Sequence, residues 1–171
     1  MKTFLSIIFI LFAGNSFSQT PGFTKLEIGT TGCTAYFPGE MNFELSYSDD
    51  SSEVFTGEIS AGTMDFAIIC VKFKVAIGDD QAANEELLIA YLDYLKQALG
   101  IVSSAGYGKG HTMEDHPSAT GIIDYWEDAA QQEFRVKAWV DDRFLAVLYL
   151  KGDNNSSICD VYLNSFRFPA E

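Results

Sequence analysis

One stretch of this chain carries sustained helical periodicity, and it limits the possible architecture more than any other: residues 79–100, DDQAANEELLIAYLDYLKQALG. Leu88, Tyr91, Leu92, Leu95 and Leu99 recur at three- and four-residue intervals and form one apolar stripe along a helix. Asp79, Asp80 or Asn84 can cap its start, Glu85 and Glu86 suit the positive end of its dipole, and Gly100 is a natural residue just past its end. Nearly all of the sequence around it reads as extended, so the stripe is core packing against a sheet rather than a cofactor-binding face. The fold class is α+β.

Before the helix the punctuation is regular. FTKLEI and CTAYFP give two short strands, Pro38 and Gly39 end the second, FELSY alternates, SDDSSE interrupts, VFTGEIS resumes, and AGTM turns the chain. These read as a meander of short antiparallel strands. The run DFAIICVKFKVAI, residues 65–77, follows. It sets Ile69, Val71, Phe73, Val75 and Ile77 on one face and Phe66, Ile68 and Cys70 on the other, so half of this strand is covered on both sides. After the helix come a glycine-rich passage, GYGKGHTMEDHPSATG, read as a polar loop, and three strands, IIDYWED, EFRVKAWV and RFLAVLYLKG. Asp141-Asp142 joins the last two in a tight turn, the apolar FLAVLYL being central and its partner the more exposed. Trp139 alternates with Arg135 and Lys137 on the polar-looking face and is expected to be covered.

The C-terminal SSICDVYLNSFRFPAE fits either a strand or a helix by periodicity. Ser156 and Ser157 offer an N-cap, with Asp160 three residues beyond Ser157 in the manner of a capping box, and this selects a helix over 157–165. Ile158, Val161, Tyr162, Ser165 and Phe166 form its expected apolar face, and FRF closes the chain as an extended tail.

Residues 1–18 read as a cleaved secretory signal: Lys2, the apolar run FLSIIFILFAG, then Ser16-Phe17-Ser18 with small residues flanking Phe17. The run falls short of the ~18 residues of a membrane span. Residues 19–171 then form one domain, exported to a periplasm or secreted, with no membrane span after cleavage. The formal charge of the whole chain is −13, with 11 Lys and Arg against 24 Asp and Glu. Such a surface repels phosphate backbones and anionic lipid heads, which argues against nucleic acid and favours a basic protein partner. Three cysteines, Cys33, Cys70 and Cys159, lack the close spacing of zinc sites. Cys70 reads as a buried free thiol, and one disulfide among the three is the alternative, the pair left open.

A strand ending in Tyr-Phe-Pro, a meander, one long helix, the turn HPSATG, the hairpin FRVKAWVDDRFLAVLYLKG and a terminal LNSFRF together resemble the PsbP-like family. The resemblance implies an antiparallel sheet with helices on both faces, an α/β/α sandwich found in exported bacterial proteins and in accessory subunits of photosynthetic complexes. It also implies a mostly non-enzymatic, partner-associated protein. No photosynthetic docking surface matches residue by residue.

The segment HTMEDH holds the only two histidines, His111 and His116, with Glu114 and Asp115 between them. It departs from His-Glu-x-x-His, in which helical spacing brings both imidazoles to one metal. GYGKGH follows a helix instead of joining a strand to one, and Lys109 lacks the Ser or Thr of a phosphate loop. No Gly-x-Ser-x-Gly elbow occurs, and the paired carboxylates sit in turns or at the helix start, where acids are common anyway. No catalytic, cofactor-binding or metal-ligating residue is therefore assigned, and no cofactor. The reading is an exported, non-enzymatic domain that binds a protein partner or supports an envelope complex. Two alternatives stand beside it. One is a small-ligand binder whose pocket between sheet and helix is walled by Tyr91, Tyr94, Tyr107, Tyr125 and Trp126. The other is a metal-dependent hydrolase built on the His111/His116 segment.

Overall fold

A computed structural model of the chain describes residues 22–152 and 157–170; the expected signal, residues 1–18, lies outside them, as does Ser156. In chain order the elements are β1 (Thr24–Glu27), β2 (Thr34–Phe37), β3 (Glu44–Tyr47), β4 (Glu53–Ala61), β5 (Met64–Lys72), α1 (Gln81–Ala98), β6 (Ile101–Ser104), β7 (Gly108–Met113), β8 (His116–Asp128), β9 (Glu133–Val140), β10 (Phe144–Gly152) and α2 (Ser157–Leu163). β1 and β2 form a two-stranded ribbon. The other strands make one sheet in the order β3-β4-β5-β10-β9-β8-β6, with β7 also paired to β8, and every pairing is antiparallel. The class is α+β, mostly antiparallel sheet with two helices. Among the described residues no helix is long and apolar enough to cross a membrane.

Local chemistry accounts for the element ends. Asp80 caps α1, its carboxylate accepting from the N–H groups of Ala82 and Ala83 at 3.0 and 3.3 Å. Gly100, at φ +67°, takes the left-handed conformation that ends the helix. Glu85 lies beyond the first turn, which holds no acid, and instead pairs with Lys109 of β7 at 2.7 Å. The β9–β10 turn is held by Asp141, whose carboxylate accepts from the N–H groups of Arg143 and Phe144 at 2.8 and 2.6 Å.

Alternate residues of the central strands divide between two apolar clusters. Phe66, Ile68 and Cys70 of β5 and Ala146, Leu148 and Leu150 of β10 pack with Cys159, Tyr162 and Leu163 of α2 and with Ala35 and Phe37 of β2. Val71 of β5 and Leu145 and Val147 of β10 pack with Leu88, Leu92 and Leu95 of α1. The period of two in the strands sends successive side chains to opposite sides. The C-terminal segment is tied down as expected of an extended tail: Thr34 and Arg167 exchange N–H···O bonds of 2.9 and 2.8 Å. The Tyr162 hydroxyl donates to the carbonyl of Ala67 at 2.6 Å, which gives this fully buried ring its polar partner.

Several expectations are corrected. The strand expected over 65–77 stops at Lys72, and Val75 and Ile77 are exposed because the chain leaves the sheet, crossing the β9–β10 turn where Ile77 donates to the carbonyl of Asp142. The glycine-rich passage is mostly β7 and the start of β8, a hairpin turning at Glu114-Asp115 between the paired residues Met113 and His116. Its glycines hid the strand, since they carry no side chain to register the alternation. β9 is as interior as β10, because β8 pairs along its other edge. α2 ends at Leu163 rather than at residue 165; Tyr162, and Ser165 and Phe166 just beyond it, are buried as expected, but Val161 faces solvent and Cys159 and Leu163 are buried in its place. Trp139, by contrast, is covered as expected, 4% exposed, with its indole lying over Gly121 on the neighbouring strand.

Candidate functional site

The β3–β4 turn is a small hydrogen-bonded knot. Asp50 accepts from the hydroxyl of Ser48, and from the N–H and hydroxyl of Ser52 at 3.1 and 2.9 Å. These bonds, Ser48 first, hold the Asp50 carboxyl below its ordinary value, so it stays ionised. Ser52 in turn accepts from the N–H of Lys74, fixing the turn to the segment that leaves β5. The outcome is an acidic corner, Asp49 and Asp50, held beside α1.

Between this corner and α1 lies a groove of about 500 Å³. Val54, Val71 and Phe73 form its floor, Tyr91 and Tyr94 of α1 its far wall, and Asp49 and Asp50 its rim. The two tyrosine rings stand 6.2 Å apart at 50°, and Tyr94 is 64% exposed. Burial, then the neighbouring Tyr94, pushes the Tyr91 phenol up to about 12, so that ring is neutral across the physiological range. Tyrosine faces attract cations, and the two carboxylates at the rim add to that field.

The five aromatic residues expected to wall one pocket are divided. Tyr91 and Tyr94 line this groove, whereas Tyr125 and Trp126 line a separate open cleft of about 550 Å³ beside β6. Tyr107 is taken up in a polar network, donating to Asp93 and accepting from Lys96 at 3.0 Å. Lys96 also bonds Asp124, which accepts from the indole of Trp126 at 2.7 Å. Burial alone would lower the Lys96 ammonium, but its bonds to Tyr107 and Asp124 raise it overall.

The two histidines of the segment engage different partners. His116, at the start of β8, bonds Asp141 at 3.0 Å and stacks on Phe168 at 4.5 Å. His111 lies in β7 opposite Gly121, held below the ordinary imidazole value by burial and by the Lys137 ammonium. Glu114 and Asp115 occupy the turn, where Asp115 pairs with Arg167 at 3.0 Å. Among the described residues no group of three His, Cys, Asp or Glu side chains is placed to hold a metal ion. Cys33, Cys70 and Cys159 are all buried, and none is in a disulfide. The Cys33 and Cys70 thiols are hydrogen-bonded, which with burial pushes the Cys70 thiol well up, so Cys70 is not poised as a nucleophile.

What the sequence hid was the meeting of the acidic turn with the helix. SDDSS reads as a turn in its own right, and no periodicity records that it stands beside Tyr91 and Tyr94. No family model matches the chain, and no curated protein matches it.

Proposed function

We propose that the chain is an exported, non-enzymatic domain that seats a basic segment of a partner protein in the groove between α1 and the β3–β4 turn. One observation carries the reading: an apolar floor and two tyrosine faces are edged by two carboxylates, one of them kept ionised by its own turn. A Lys or Arg side chain entering there would lay its stem on Phe73 and Val54, its charge over a tyrosine face, and its N–H groups toward Asp49 and Asp50. The acid excess of the whole chain draws such a partner in. The PsbP-like sandwich, with helices on both faces, is part of the same proposal. It is supported by the separate clusters in which α1 and α2 meet alternate residues of β5 and β10.

The test is a photo-cross-linking residue in place of Tyr94 in the full chain, expressed in its own host. The expected result is a cross-link to a Lys- or Arg-containing segment, lost when Asp49 and Asp50 are both replaced by Lys. A cross-link that survives the charge reversal, or none above that from the same residue at exposed Val102, overturns the proposal.

A further inference from the structure

A second pocket, of about 360 Å³, lies where the β7–β8 hairpin, β9 and the C-terminal segment meet. Lys137 and Trp139 of β9 form its base, and Asn164 and Arg167 one wall. It is separate from the α1 groove, because Trp139 belongs to the cluster of α2 and not to that of α1.

Lys137 is the informative residue. It is 9% exposed on a chain with more than twice as many acids as bases, yet among the described residues no carboxylate pairs with it. Its ammonium donates at 2.6 Å to the neutral side-chain oxygen of Asn164 and stands 4.9 Å from the Trp139 ring centre. Arg167 shares the pocket with it, and the carboxylates there, Glu114 and Asp115, lie on the exposed hairpin turn and make no ion pair with it. Burial, then the Arg167 guanidinium, lowers the Lys137 ammonium, and Lys137 in turn lowers His111. Of the acids near Lys137, Asp115 pairs with Arg167 and Asp160 with Arg135, while Glu114 stays exposed at the hairpin turn. A desolvated cation without a counter-charge is costly and is stabilised by whatever anion can reach it.

We infer that the pocket over Trp139 binds a small oxyanion, the carboxylate or phosphate group of a ligand, between the Lys137 ammonium and the Arg167 guanidinium. Thr112 at the pocket wall offers a hydroxyl donor. Asp115, on the exposed hairpin turn, already holds the outer edge of Arg167, and that restricts the seat to one small charged group.

The chain holds two tryptophans, which makes the test internal. The full mature protein is titrated with sodium phosphate and, separately, sodium acetate at constant ionic strength while both indole N–H resonances are followed by NMR. A saturable shift of Trp139 with Trp126 unmoved is expected from at least one anion. Phosphate alone identifies a phosphate-bearing ligand, acetate alone a carboxylate. Lys137→Met, which keeps the buried stem, should raise the half-saturating concentration at least tenfold, whereas Lys109→Gln should leave it unchanged. Equal shifts at both indoles, no saturable shift with either anion, or wild-type titration of the Lys137→Met protein overturns the inference. Should that variant not fold, the two-indole comparison in the wild-type protein decides alone.

Discussion

The ammonium of Lys96 and the wholly buried carboxylate of Asp124 stand 3.0 Å apart, joining α1 to β8 across the core. Asp124 is fully satisfied, for it also accepts from the N–H of Tyr125 at 2.8 Å and from the Trp126 indole. Removing Lys96 leaves the buried carboxylate without its counter-charge, and Lys96→Met should cost about 3 kcal/mol of stability; Asp124→Ala leaves the ammonium Asp93 at 3.6 Å and the Tyr107 hydroxyl, and should cost less. Urea denaturation followed by tryptophan fluorescence measures both, and a loss under about 1 kcal/mol in Lys96→Met would show that water reaches the pair.

Gly121 sits beneath the Trp139 indole, and a Cβ there would lie 2.4 Å from the nearest ring atom. Gly121→Ala should therefore destabilise by about 1–3 kcal/mol through overpacking. Trp139→Leu alone should also destabilise, by leaving a cavity. The double variant should be more stable than the sum of the two losses, because the smaller leucine admits the methyl group. Simple additivity in thermal or urea unfolding would show that the two residues do not share this space.

His116 reads as a structural residue, bonded to Asp141 and stacked on Phe168. His116→Ala should lower stability by about 1–2 kcal/mol, since it leaves a largely buried carboxylate with one partner fewer. The α1 groove is built from other elements, so cross-linking from position 94 should persist in that variant at temperatures where it remains folded.

His111 supplies a pH dependence whose sign follows from its lowered pKa. The unfolded chain takes up the proton more readily than the folded one, so stability falls as the pH drops through about 6.5 and levels off once both states are charged. His111→Gln should remove that part of the slope. Between about pH 8 and pH 5 the wild-type urea midpoint should fall relative to that of the variant; parallel curves would contradict the assignment.

Cys33 and Cys70 are the thiols the fold brings together, whereas Cys159 lies with its sulfur 3.9 Å from that of Met64. When the denatured chain is refolded with oxidised glutathione, thiol–disulfide exchange should give a Cys33–Cys70 bond, the glutathione being reduced. Peptide mapping should find that linkage unchanged in Cys159→Ser. A dominant bond to Cys159 would contradict the placement of β2 against β5.

Much of this architecture was legible because its signals are local. The Leu88-Leu92-Leu95 stripe, the Asp80 cap, Gly100 and the alternation of Phe134, Val136 and Ala138 each depend on backbone geometry within a few residues, and these placed α1 and β9 on sequence alone. The serine- and aspartate-marked start of the last segment likewise separated helix from strand where periodicity could not. Strand order was beyond reach, since hydrogen bonds between β5 and β10 join residues some 70–90 positions apart. With it went the facts that depend on order: that β9 is interior, that Val75 and Ile77 lie off the sheet, and that the glycines of β7 belong to a hairpin. The sites needed still more. Asp50 beside Tyr94, and a buried Lys137 that no carboxylate pairs with, are outcomes of distant segments converging, and a charge acquires its meaning there only from the burial and neighbours that tertiary packing imposes.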